Sequence, residues 1–85
     1  MSLNRYAKRK DENQADIVKA LRKAGAYVIV QDHPDLLTYY EGWWLPLEVK
    51  SAKGKLTKRQ KELTEATDCP VVTTPEEALH AIGVI

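Results

Sequence analysis

Between Asp11 and Gly25 the apolar positions return at helical spacing. Gln14, Ile17, Val18, Leu21 and Ala24 share one face, and Gly25 stands where a C-terminal cap belongs. This predicts a first helix, in which Gln14 would be the third helical position of a capping box begun by Asp11. The next segment, AYVIVQ (Ala26 to Gln31), is β-branched and too short for a helix, so it reads as a largely buried strand. DLLTYYE (Asp35 to Glu41) and WWLPLEVK (Trp43 to Lys50) flank Glu41-Gly42, a tight-turn dipeptide, and together predict a hairpin. Pro46 cannot donate to a ladder and needs an edge, a bulge or a strand start, which places the regular part of that strand from Leu47. SAKGK is a loop. Thr57 with Gln60 three residues on makes a capping box for a helix running to Thr67, whose apolar face is thin. CPVVTT supplies a short strand, and Thr74-Pro75-Glu76-Glu77 caps a last helix with Ala78, Leu79 and Ile82 inside and Gly83 at its end. The order is α-β-β-β-α-β-α, an α/β sandwich around a mixed sheet without internal repeats.

A chain of 85 residues has room for one modest core, so a partner or dimer interface would matter to its stability. It holds no apolar run near the roughly 18 residues of a membrane span and no apolar segment suited to a signal peptide, which predicts a soluble, cytoplasmic protein with no membrane partner. The single cysteine, Cys69, excludes an internal disulfide and a zinc site of several thiolates, and reads as a small buried hydrophobe before Pro70. The net charge of +1 hides an uneven distribution. Arg5, Lys8, Arg9 and Lys10 crowd the start, and Lys50, Lys53, Lys55, Lys58, Arg59 and Lys61 form a run without one acid. Such clusters are ordinarily solvated surface, but beside an active site they suit a polyanion.

Residues two apart on a strand share a face, so Glu48 and Lys50 project together while Val49 enters the opposite layer. A solvated ion pair would explain them and would contribute little. Asp35 shifts the balance, because hairpin pairing brings its carboxylate near Glu48. Two carboxylates held close repel unless a cation lies between them, and hard oxygen ligands favour magnesium or manganese.

Pro34-Asp35 followed by Glu48-Val49-Lys50 resembles the PD-(D/E)xK nuclease signature. DENQADIVKALRKAGAYV, PDLLTYYEGWWLPLEVK, LTKRQKEL and TTPEEALHAIG resemble, in that order, the compact stand-alone VRR-NUC and Holliday-junction-resolvase-like proteins common in phages, over nearly the whole chain. The resemblance implies a basic arm over residues 1-10 and one nuclease domain over 11-85. Its fold would be a restriction-endonuclease-like α-β-β-β-α-β core with a short C-terminal helix. It also implies a Mg²⁺- or Mn²⁺-dependent, structure-selective endonuclease that cuts branched or double-stranded DNA, leaves a 5′-phosphate and works as a homodimer in the host cytoplasm. Asp35, Glu48 and the Val49 carbonyl would hold the cation, and Lys50 would orient water and stabilise charge on the phosphate. Many relatives carry glutamate where Gln14 stands, so Gln14 either positions a water or only caps its helix. Gln60 matches a family position near the active site, although its capping role with Thr57 also explains it. Lys53, Lys55, Lys58 and Arg59, with Arg5, Lys8 and Arg9, would follow the DNA backbone.

His33 reads as a turn residue before proline, with general base as the alternative, and His80 as helix surface. Of Trp43 and Trp44, which face opposite sides of an extended strand, one is expected in the core and the other free for a dimer contact or base stacking. Two rivals stand beside the enzyme. One is a nucleic-acid-binding or assembly module with the same fold that lost turnover, with Gln14 as the lesion. The other is a subunit that needs partners for activity.

Overall fold

The computed structural model describes residues 2-32, 34-51 and 54-85, and the side chains of the first helix from Asn13 onward. Among the described residues, three helices and four strands follow the expected order: α1 (Ser2–Lys23), β1 (Tyr27–Val30), β2 (Leu36–Tyr40), β3 (Trp43–Val49), α2 (Lys58–Thr67), β4 (Val71–Val72) and α3 (Pro75–Ala81). The strands form one mixed sheet in the order β1-β2-β3-β4. The first two pairings are antiparallel and the last is parallel. Among the described residues no helix is long and apolar enough to cross a membrane.

Local chemistry fixes the ends of these elements. Gly25 at φ 101° closes α1 in a Schellman motif, its own N–H reaching the Arg22 carbonyl and the Ala26 N–H reaching Leu21. Gly83 repeats the arrangement after α3, through His80 and Leu79. Both expected capping boxes form, Thr57 with Gln60 and Thr74 with Glu77. The β2–β3 turn places Glu41 at φ 48° and Gly42 at φ 91°, the two successive left-handed residues of a type I′ turn that matches strand twist.

Strand alternation then assigns the faces. Val28, Leu36, Leu47, Val49 and Val72 point inward, where Ile17, Val18 and Leu21 of α1 and Ala78 of α3 complete the core. Thr38 is buried among them and spends its hydroxyl on the Leu45 carbonyl at 2.7 Å. Helix α2 contributes only Gln60 to the buried residues, in keeping with its thin apolar face.

Four expectations change. Helix α1 begins at Ser2, so Asp11 lies in mid-helix and cannot start a capping box with Gln14. The helix thus takes in the basic stretch over residues 2-10. Strand β3 is regular from Trp43 rather than from Leu47, with Pro46 opposite Leu37. The reason is directional: the Glu48 and Lys50 amides donate toward β4, to Pro70 and Val72, so Pro46, of the same parity, turns its missing donor to that side, beyond the end of the short β4. Strand β1 is an edge strand with only Val28 buried, not a buried strand, and both tryptophans are exposed. Trp44 lies on the face away from α1 and α3, and Trp43, although on the inner side, sits at the hairpin tip beyond the core cluster.

Candidate active site

Where β2 begins, the hairpin stops being a regular ladder and its side chains take over the pairing. The register that sets Leu36 opposite Leu47 would put Val49 opposite Pro34. Instead the Val49 N–H donates to Asp35 Oδ2 at 2.9 Å, and the Asp35 N–H donates to Glu48 Oε1 at 2.9 Å. Each carboxylate therefore binds a main-chain amide of the other's strand. Asp35 is anchored from the second side as well, its carbonyl accepting the Gln31 N–H at 2.9 Å. Both carboxylates are buried, which requires compensation of this kind because a charge taken out of water is costly unless hydrogen-bonded.

Cys69 senses the pair. Burial pushes its thiol up from 9.0 to about 11, the charges of Glu48 and Asp35 push the same way, and the Glu48 backbone amide partly opposes them. It is a buried neutral thiol, as the sequence suggests.

Lys50 leaves the sheet immediately after the pair. Its N–H is held by Val72, and its half-buried side chain sets Nζ 3.3 Å from the Ser51 carbonyl. Its own carbonyl accepts from Asn13 Nδ2 at 3.0 Å, a tie from α1 across 37 positions of chain. Sequence reasoning missed Asn13. The signal was present, since Asn13 stands one turn before Ile17 and two before Leu21, the two deepest side chains of α1. Gln14, one position on, is half-buried and lines an open groove of about 450 Å³ with Val18, Arg22 and Val30.

The structure thus brings together Asp35, Glu48, Val49 and Lys50. Gln60 is buried, but its amide oxygen accepts the Thr57 N–H at 2.9 Å, so the cap accounts for it. Lys55, Lys58 and Arg59 are exposed, on the loop after Ser51 and the first turn of α2. Lys53, His33 and the side chains of Arg5, Lys8 and Arg9 lie outside the described residues. His80 is exposed on α3 as expected, its Nδ1 3.0 Å from the Ile85 carbonyl.

Among the described residues no group of three or more His, Cys, Asp or Glu side chains gathers to hold a metal ion. A cation at this site would rest on two carboxylates supplemented by carbonyl and water oxygens, a donor set of hard oxygens that fits magnesium or manganese. The Val49 carbonyl lies on the same edge of β3 as the Val49 N–H, toward Asp35. No family model, curated protein or solved structure matches the chain.

Proposed function

We propose that this domain is a metal-dependent, structure-selective DNA endonuclease of the PD-(D/E)xK type, with a restriction-endonuclease-like fold, resembling the VRR-NUC and Holliday-junction-resolvase-like enzymes and acting in the cytoplasm. The observation that carries the reading is the reciprocal bracket between Asp35 and Glu48, two buried carboxylates fixed by each other's strands at the start of an acid-free basic segment. A purely structural role is a weak account of it, because apolar side chains of similar volume would fill the same space without the desolvation cost.

Asp35, Glu48 and the Val49 carbonyl would hold the cation. When bound, it supplies Lewis acidity toward a phosphodiester and lowers the pKa of water. The chain supplies the rest. The amides of Val49 and Asp35 lock the carboxylates in place before substrate arrives, so little reorganisation is needed on binding. Lys50, whose ammonium makes a long contact to the Ser51 carbonyl, can turn it to a phosphate oxygen and orient the attacking water. Water adds to phosphorus, the bond to the 3′ oxygen breaks, that oxygen takes a proton, and the new end keeps a 5′-phosphate. Asn13 fixes the main chain beneath Lys50 and acts as a positioning residue. Lys53, Lys55, Lys58 and Arg59 would follow the phosphate backbone. With one such centre per chain, two cuts across a junction call for two copies.

The direct test incubates purified protein with labelled linear, flap, nicked and four-way DNA and Mg²⁺ or Mn²⁺. Cleavage of branched DNA that is lost in Glu48→Ala is the expected result. The same protein without DNA should bind Mn²⁺ in a spin-resonance titration, and Glu48→Gln should not. DNA binding without cleavage under any of these conditions would replace the enzyme with a binding or assembly module, for which Gln14 in place of glutamate would be the reason.

A further inference from the structure

The open groove that Gln14 lines runs between α1 and the edge strand β1 and measures about 450 Å³. Ala15, Val18 and Val30 give it an apolar floor, and Lys19 and Arg22 give it a cationic rim. Among the described residues no acidic side chain lines it. Asp16 shares the solvent face of α1 with Lys23, seven positions on, and Asp32 follows the end of β1, both exposed and outside the groove. The main chain beside the groove is also open. The Gln31 N–H reaches the Asp35 carbonyl, so on β1 residues of odd number turn their backbone groups to β2 and residues of even number turn theirs outward. Val30 thus presents an outward N–H and C=O, and Val28 an outward N–H, while the outward Val28 carbonyl accepts from Arg22 Nη2 at 3.0 Å.

We propose that this groove binds the extended C-terminal tail of a partner protein, which adds a short strand beside β1 and sets its free carboxylate on Arg22. Three features select that occupant. Outward main-chain groups on a strand edge are matched by another peptide backbone, and neither a nucleotide nor a lipid supplies that ladder. Antiparallel addition at Val30 carries the tail towards Val28, where the Arg22 side chain stands across the edge, so a continuing chain is obstructed and a chain end fits. That end brings a carboxylate to a guanidinium that has several N–H donors and uses one on Val28, with Lys19 as a second positive charge on the same rim.

Strand parity then states what the tail should look like. Its last residue, opposite Val28, and its third from last, opposite Val30, project to the side of the sheet where α1 lies, over Val18 and the Val30 side chain, and should be apolar. The residue between them faces the opposite side with Ile29 and is unrestricted. Protection of the edge against pairing would by itself explain Arg22, but it would not call for an apolar hollow beneath the guarded strand.

This assignment does not depend on the nuclease reading, and its test uses neither DNA turnover nor metal. The probe is a pool of fluorescein-labelled hexapeptides with valine, leucine, isoleucine or phenylalanine at the last and third-last positions, titrated with the 85-residue chain by fluorescence polarisation. The free-acid pool should bind with a midpoint below about 1 mM, and the same pool amidated at its C-terminus at least about tenfold more weakly, since a charge-assisted pair is lost. Arg22→Met keeps the stem and removes the charge, so it should reduce free-acid binding to the level of the amide and erase the difference between the pools. Val30→Pro should weaken binding at least about tenfold in a domain that stays folded, because the N–H it deletes points away from β2. Circular dichroism checks the fold, and if Val30→Pro is unfolded, Arg22→Met decides. A wild type that binds neither pool below about 1 mM, or binds both equally, would overturn the proposal, as would an Arg22→Met protein that still distinguishes them. A single-stranded oligonucleotide that displaces the pool at equal concentration and loses its own affinity in Arg22→Met would assign the groove to phosphates instead.

Discussion

The two ends of the β2–β3 hairpin reverse the usual distribution of side chains. At the turn, Trp43 and Trp44 are 78% and 53% exposed, while at the open end Asp35 and Glu48 are 2% and 0% exposed. Folding of this chain alone explains neither arrangement. Apolar area left in water contributes nothing to stability, and carboxylates taken from water reduce it unless they are compensated. The compensation differs between the ends. The open end is closed from within, by amides of Asp35 and Val49 that fix each carboxylate. The turn end has no such compensation and keeps both indole rings in water. Both ends lie on the same pair of strands with Pro46 between them, and the proposed chemistry belongs to the open end.

Breaking the open end should give the largest effect. Asp35→Ala and Glu48→Ala should cleave DNA at least about a hundredfold more slowly, as expected for loss of a metal ligand. Each also strands a main-chain amide, that of Val49 or of Asp35, at a cost of about 1–3 kcal/mol. The isosteres Asp35→Asn and Glu48→Gln keep an acceptor for those amides, so their melting temperatures should stay near or above wild type while cleavage still falls. Melting and rates measured on all four proteins separate the two contributions. Wild-type turnover by Glu48→Gln would remove the chemistry from this end of the hairpin.

How much of this was legible from the sequence follows from how local each signal is. The caps of α2 and α3, the Glu41-Gly42 turn and the element order depend on residues a few positions apart, and these appear as read. The meeting of Asp35 with Glu48 was also legible, because the turn fixes the register and the register fixes the pair. The length of α1 was not. Residues 2-10 lack an apolar stripe, so periodicity shows no reason to begin the helix before Asp11. Burial of β1 and of one tryptophan was inferred from apolar content, yet apolar content cannot say whether a layer exists to cover a face. Here α1 and α3 both join the core on one side, and the other side of β1 and β2 keeps its aromatic residues exposed. Asn13 escaped notice because a polar residue at the end of an apolar stripe acquires a role only when a distant carbonyl, that of Lys50, arrives beside it.

The basic segment gives the next effect in size and sharpens what the open end faces. Neutralising Lys53, Lys55, Lys58 and Arg59 together should weaken DNA binding across sequences and flatten its dependence on salt by as much as about 3 to 4 in slope, since each phosphate contact releases a counterion. Fold should be unaffected, because Lys55, Lys58 and Arg59 are exposed. An unchanged slope would place this loop away from DNA.

At the turn end, Gly42→Val tests the backbone alone. A side chain added there meets nothing within 4 Å, so the loss comes from φ 91°, which a β-branched residue resists at about 1–3 kcal/mol. The melting temperature should fall while cleavage by the folded fraction stays normal. A fall in cleavage per folded molecule would mean that the two ends are coupled.

The smallest effect is invisible at neutral pH and reports on the charge at the open end. The Cys69 thiol ionises near 11 in the folded chain against 9.0 ordinarily, first because it is buried and then because Glu48 and Asp35 repel a thiolate. Between those values the folded state holds a proton that the unfolded state has released, so stability falls as pH rises through the window and the contribution is fully present below pH 9. Cys69→Ala removes it. Urea unfolding of both proteins at pH 8, 10 and 11 should therefore show wild type losing more stability than the variant across the alkaline range. Tyrosines and lysines also titrate there, but they are common to both chains and cancel in the difference. In Glu48→Gln the absorbance of the thiolate should rise at lower pH than in wild type, since one of the two repelling charges is gone while the thiol stays buried. Identical titration curves would mean that the Glu48 charge does not reach the thiol, and burial alone would then account for its position.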